Sequence, residues 1–131
     1  MIAYNPEFDP PAPCLEVTLS SLLNARRRST LPAFLDTGAD TTAIPENIIN
    51  TFNLYPVGRL RFEDVKAEPY NVYTYAIQIT VQGIVIPRLE VVPTGLDFVI
   101  LGRDILNRFH LLLNGPEQLF TITQTPLKIS E

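Results

Sequence analysis

Apolar and polar residues alternate over short stretches of this chain, and prolines divide those stretches from one another. Cys14 to Leu23 puts Leu15, Val17 and Leu19 on one side of an extended segment, the pattern of a half-buried strand. Leu31 to Leu35 is a short apolar strand that runs straight into Asp36, with Pro32 suited to its start or to a sheet edge. Thr42 to Leu54 reads as strand then helix: Pro45 fits a first helical position, Glu46 suits the positive end of the helix dipole, and Ile48, Ile49 and Phe52 form an apolar face. Leu60 to Val72 is polar and charged. Val72 to Val81 alternates well and predicts a strand, Gln82-Gly83 a turn, and Ile84 to Val92 a further strand. Phe98 to Leu101 predicts a short buried strand, and Asp104 to Phe109 a short helix. Leu111 to Leu113 and Leu119 to Ile122 predict a hairpin across Asn114-Gly115-Pro116, and Thr123 to Ile129 one more strand.

Twelve prolines against six glycines sharpen this picture. Pro32, Pro45, Pro56, Pro69, Pro87, Pro93, Pro116 and Pro126 are spread along the chain and forbid long helices. With β-branched and aromatic runs between them, the pattern predicts an all-β fold with one or two short helices. Pro6, Pro10, Pro11 and Pro13 crowd the start, so residues 1–13 are expected to be an extended arm without regular structure, and residues 14–131 a single domain.

Composition then excludes several classes of function. At 131 residues, with 46% hydrophobic and 18% charged residues, the chain can bury a core of its own. A formal charge of −4 disfavours general nucleic-acid binding, which needs surplus Lys and Arg. Arg26, Arg27 and Arg28 form a basic run; a solvated hairpin tip explains it better than an anion site. One cysteine, Cys14, excludes an intrachain disulfide, and one histidine, His110, excludes a multi-histidine metal centre. Cys14 is expected to be a small apolar filler and His110 a surface or dimer-edge residue. The start lacks the charged and apolar regions of a signal peptide, and no run is long enough for a membrane span. The expectation is a cytoplasmic protein with neither a nucleic-acid nor a membrane partner.

The candidate chemistry lies in Ala33 to Ile44, AFLDTGADTTAI. Apolar residues before Asp36 would carry its carboxylate into a low-dielectric interior, where a lone charge is costly. Gly38 permits a tight turn whose backbone N–H groups can approach that carboxylate. Thr37 offers a short hydroxyl able to lock the turn. Taken alone, Asp-Thr-Gly is also an ordinary turn sequence.

The segment resembles the Asp-Thr-Gly motif of the aspartic proteases, and in particular their retroviral-type, retropepsin-like branch. The second signature of that branch, apolar residues and a glycine before a short helix, is matched by Val99-Ile100-Leu101-Gly102-Arg103-Asp104. The resemblance covers about Leu31 to Phe109. It implies a retropepsin-like barrel with half an active site per chain, because the family's reaction uses two aspartates and this chain has one Asp-Thr-Gly. Asp9, Asp64, Asp97 and Asp104 lack that context. A homodimer would bring two copies of Asp36 together, and two close carboxylates hold one proton between them over an interval of pH. The implied activity is hydrolysis of peptide bonds in a peptide or protein substrate, with no metal or organic cofactor. Thr37 would lock the paired loops, Gly38 and Ala39 shape the turn, and an Asp40–Arg103 ion pair brace the two motifs. Asp40, Ala43, Phe98, Ile100 and Gly102 would contact substrate; for Ile100 an ordinary core position explains the residue equally well. The stretch corresponding to the family's flap, about Arg61 to Tyr73 with its tip near Asp64 to Glu68, contains no glycine. That departure leaves open a dimeric module that grips peptides without cutting them. A second alternative is a structural domain inside a larger assembly, with the Pro-rich start as a docking arm.

Overall fold

The computed structural model describes residues 1–64 and 67–127. Ten strands and two short helices are present among them. β1 is Ile2–Ala3, β2 Cys14–Ser20, β3 Arg28–Leu35 and β4 Ala43–Pro45, followed by α1 (Glu46–Thr51). Then come β5 (Gly58–Asp64), β6 (Ala67–Val81), β7 (Ile84–Thr94), β8 (Val99–Leu101), α2 (Arg103–Leu106), β9 (His110–Asn114) and β10 (Leu119–Thr123). The expected all-β fold with one or two short helices is present, with two helices among the described residues.

The main sheet runs β2-β3-β8-β4-β7-β6-β5, and β6 also pairs with β2. That extra pairing closes six strands into a barrel and leaves β5 outside it. The barrel interior is filled by the alternate apolar residues of each strand: Val17 and Leu19, Ala33 and Leu35, Ile77, Ile79 and Val81, Val99 and Leu101. Ile48, Ile49 and Phe52 close it on one side from α1 and its end, and Ile105 and Leu106 from α2. A second sheet, β1-β10-β9, adds Phe120 and Ile122 to the same core.

β6 serves two structures at once. From Tyr75 to Val81 it lies in the barrel against β7, with Gln78 to Val81 also paired to β2. From Ala67 to Thr74 it leaves the barrel and pairs only with β5, from Gly58↔Thr74 to Asp64↔Ala67. The result is a projecting hairpin. Phe62 stacks on its cross-strand partner Tyr70 with centroids 5.9 Å apart, and the Arg59 guanidinium lies 5.3 Å from the centre of the facing Tyr73 ring. Most of its described side chains are exposed, so Leu60 to Val72 lacks an apolar rhythm although it is strand. The tip expected at Asp64 to Glu68 includes residues 65–66, which lie outside the described residues.

The arm also differs from expectation. Ile2 and Ala3 pair with Phe120 and Leu119, so the start of the chain contributes a strand. At the other end β10 stops at Thr123 and residues 124–127 form no strand; residues 128–129 of the expected final strand lie outside the described residues. The Arg26–Arg28 run sits at the β2–β3 turn, where all three side chains are exposed and Arg27 Nη1 donates to the carbonyl of Phe52 at 2.9 Å.

Candidate active site

Asp36 is the first residue after β3. β3 runs parallel to β8, with Ala33↔Val99, Phe34↔Ile100 and Leu35↔Leu101 in register, and the Asp36 N–H continues the ladder by donating to the Leu101 carbonyl at 2.9 Å. Strand alternation decides where the carboxylate goes. Ala33 and Leu35 point into the barrel, so Phe34 and Asp36 point out of it. The carboxylate is therefore half-buried at the barrel surface, not enclosed in the interior as the apolar lead-in suggested. The Gly38 N–H donates to Asp36 Oδ1 at 2.9 Å and the Ala39 N–H to the Asp36 carbonyl at 3.2 Å. A Cβ on Gly38 would stand 3.2 Å from that same oxygen, so glycine gives the turn its close approach. Thr37 is exposed, and the group it engages is its backbone carbonyl.

The second motif packs directly beneath this turn. The Arg103 N–H donates to the Ala39 carbonyl at 2.8 Å, Arg103 Nη1 donates to the Thr37 carbonyl at 2.8 Å, and Arg103 Nη2 pairs with Asp40 Oδ1. The Asp40–Arg103 ion pair read from the two motifs is thus formed. Both partners are largely exposed, so the pair adds about 1 kcal/mol or less to stability, and its effect is on loop position. Gly102 allows the approach: a Cβ there would lie 2.8 Å from the Thr41 carbonyl carbon and 3.0 Å from the Ala39 oxygen. It is buried under backbone and does not stand on an open surface with Ile100.

A further link escaped sequence reasoning. Thr42 is completely buried; its N–H donates to Asp104 Oδ2 at 2.9 Å, and its hydroxyl donates to Asp104 Oδ1 at 2.6 Å. The same hydroxyl oxygen accepts the Gly102 N–H at 3.1 Å. A buried hydroxyl must find partners, but nothing in the local sequence around Thr42 indicates that they lie sixty positions away. Asp104, set aside as lacking catalytic context, is a structural clamp between the motifs.

The outward face around Asp36 is apolar. Phe34 shares it on β3, Ile100 pairs with Phe34 on one side and with Ala43 of β4 on the other, and Phe98 follows from the alternation of β8. All four are half-buried. Phe8 joins them from the arm, with ring centroids 5.2 Å from Phe34 and 5.1 Å from Phe98. Asp9 and Asp97 are exposed. His110 is exposed at the start of β9. Cys14 is a buried free thiol, and burial pushes its pKa up. Among the described residues no cluster of His, Cys, Asp or Glu could hold a metal ion, and no helix is long and apolar enough to cross a membrane.

An acid on the outer face of a closed barrel, carried by an Asp-Thr-Gly turn that a Gly-Arg-Asp helix start braces from beneath, is the arrangement of a retropepsin-like acid-protease fold. The profile of the family described as "gag-polyprotein putative aspartyl protease" matches residues 25–108. The chain belongs to this family of retropepsin-like aspartic proteases. No curated protein matches the chain. Solved structures of similar fold include the protease of simian foamy virus (mac), at 20% identity and a TM-score of 0.57 over 72% of this chain and 92% of that one. A retropepsin-like aspartic protease from Rickettsia conorii is 17% identical, with a TM-score of 0.57 over 93% of this chain and 87% of that one. The protease of EIAV, solved in complex with an inhibitor, is 26% identical, with a TM-score of 0.50 over 81% of this chain and 92% of that one.

Proposed function

We propose that the chain is an aspartic endopeptidase that works as a homodimer. One observation carries this reading: Asp36 is held on a hydrogen-bonded turn, with its carboxylate facing out of the barrel on an apolar surface. An acid in that position is half of a dyad. A second copy would bring the other Asp36 across a two-fold axis, with Thr37 at the junction of the two loops. The ionised member of the pair accepts a proton from a water molecule as its oxygen attacks the scissile carbonyl carbon. The protonated member donates to the carbonyl oxygen. In the second half the carbon–nitrogen bond of the tetrahedral intermediate breaks: the leaving amine takes the proton held by the dyad, one hydroxyl of the intermediate returns its proton to the other carboxylate as the carbonyl re-forms, and one proton is shared as at the start. Ala43, Phe98 and Ile100 are the residues proposed to meet substrate side chains, with Asp40 beside the substrate backbone. The β5–β6 hairpin would cover the bound peptide.

The test is digestion of a peptide library read by mass spectrometry, with Asp36→Asn and a sizing measurement in parallel. Cleavage by the wild type and a loss of at least about a hundredfold in the variant, both proteins dimeric and folded, is the expected result. Cleavage that survives in Asp36→Asn refutes the proposal.

One observation favours a second reading. No glycine occurs between Arg59 and Gln82, and the described part of the hairpin is cross-braced by the Phe62–Tyr70 stack. A stiff cover closes less readily over substrate. A dimer that binds peptides with measurable affinity and never cuts them is the outcome that selects this binding module.

A further inference from the structure

The proline-rich start of the chain is not a loose tail. Residues 5–12 close into a loop: the Asn5 N–H donates to the Ala12 carbonyl at 2.7 Å, and the Ala12 N–H returns to the Asn5 carbonyl at 3.3 Å. The Glu7 N–H is held by Asn5 Oδ1 at 2.9 Å. Both ends of the loop are tied to the body, the Tyr4 N–H to the Gln118 carbonyl at 2.8 Å and the Leu35 N–H to the Pro13 carbonyl at 3.2 Å. Its prolines narrow the conformations open to it. What the loop presents is Phe8.

The Phe8 ring meets Phe98 edge-on, at an interplanar angle of 89°, and Phe34 at 61°. Three aromatic rings from three separate segments thus converge beside Asp36. None of them is fully buried, as rings that served only the core would be. Phe34 lies two residues before Asp36 on the same side of β3, a distance of about 7 Å along the strand. A peptide held at Asp36 would set a neighbouring side chain over this cluster.

We infer that Phe8 is a specificity-determining residue: with Phe34, Phe98 and Ile100 it walls an apolar subsite and limits the size of the substrate side chain admitted there. The inference rests on the protease reading above and adds to it a wall supplied from outside both sequence motifs. A smaller residue at position 8 opens the subsite, and a larger one narrows it.

The experiment uses the 131-residue chain and a series of peptides that differ at one position flanking the cut bond: Ala, Leu, Phe and naphthylalanine. The same series is made with a non-hydrolysable bond, and its affinity is read by fluorescence polarisation. Phe8→Leu and Phe8→Ala are expected to shift the preference toward naphthylalanine by roughly tenfold relative to leucine, and Phe8→Trp to shift it the other way. Thermal unfolding of each variant separates a change of shape from a loss of fold. A purely structural role would weaken all peptides alike in both directions of substitution. An unchanged size profile in folded Phe8→Leu and Phe8→Trp overturns the inference, and so does failure of the wild type to bind any member of the series. Binding that follows the expected profile without cleavage leaves the role of Phe8 standing and removes the protease reading instead.

Discussion

At the scale of single residues, the site is organised by who bonds to buried Thr42. Asp104 is the acceptor for two of its protons, and Thr42 passes the link on to Gly102. Asp104→Ala leaves the buried Thr42 N–H unpaired, and a loss of about 2 kcal/mol is expected in urea unfolding. Asp104→Asn keeps one acceptor oxygen and should cost less. Cys14 gives a second prediction. Its thiol is raised by burial, with smaller opposing effects from the Asn5 side chain and the Ala33 backbone. In the unfolded chain the thiol ionises at its ordinary value, while in the folded chain it resists. The unfolded state therefore binds fewer protons at alkaline pH, and this contribution to stability is present below the ordinary thiol range and lost as pH rises through it. Unfolding measured from pH 7 to 10 should show a steeper alkaline decline for the wild type than for Cys14→Ala.

At the scale of elements, the projecting hairpin and the barrel differ in what holds them. The barrel strands bury one face, so Val72 to Val81 and Ile84 to Val92 carry an alternation that is legible without coordinates. The hairpin buries neither face, and a ribbon wet on both sides needs no period; its strand character was hidden for that reason. Its stability comes from cross-strand pairs. A double-mutant cycle of Phe62→Ala and Tyr70→Ala should return a coupling of about 0.5 kcal/mol. Amide exchange should quicken between Gly58 and Asp64 in either variant, with the barrel strands unchanged. β1 was missed because two residues are too few to show a pattern.

At the scale of the whole molecule, one chain holds one acid, and the proposed chemistry needs two. If each active dimer requires two intact copies, an equal mixture of wild type and Asp36→Asn at fixed total concentration should retain about one quarter of the activity after exchange, because pairing is random. A monomeric enzyme would retain half. Activity should also fall on dilution faster than in proportion to concentration, and rise and fall with pH as the shared proton is gained and lost at either end.

The local pattern of the chain was enough to specify what depends on near neighbours: the all-β class, the barrel strands with one buried face, the acid at a strand end, and the two motifs whose glycines let backbones touch. Strand alternation contained even the outward direction of Asp36, although the apolar lead-in pointed the other way. Contacts between distant segments were settled only by folding. The closure of β6 onto β2, the Thr42–Asp104 clamp and the arrival of Phe8 beside Phe34 and Phe98 each join positions more than twenty residues apart. Such contacts leave no mark on their immediate neighbours in sequence, since a side chain's local propensity is the same whether or not a remote partner meets it.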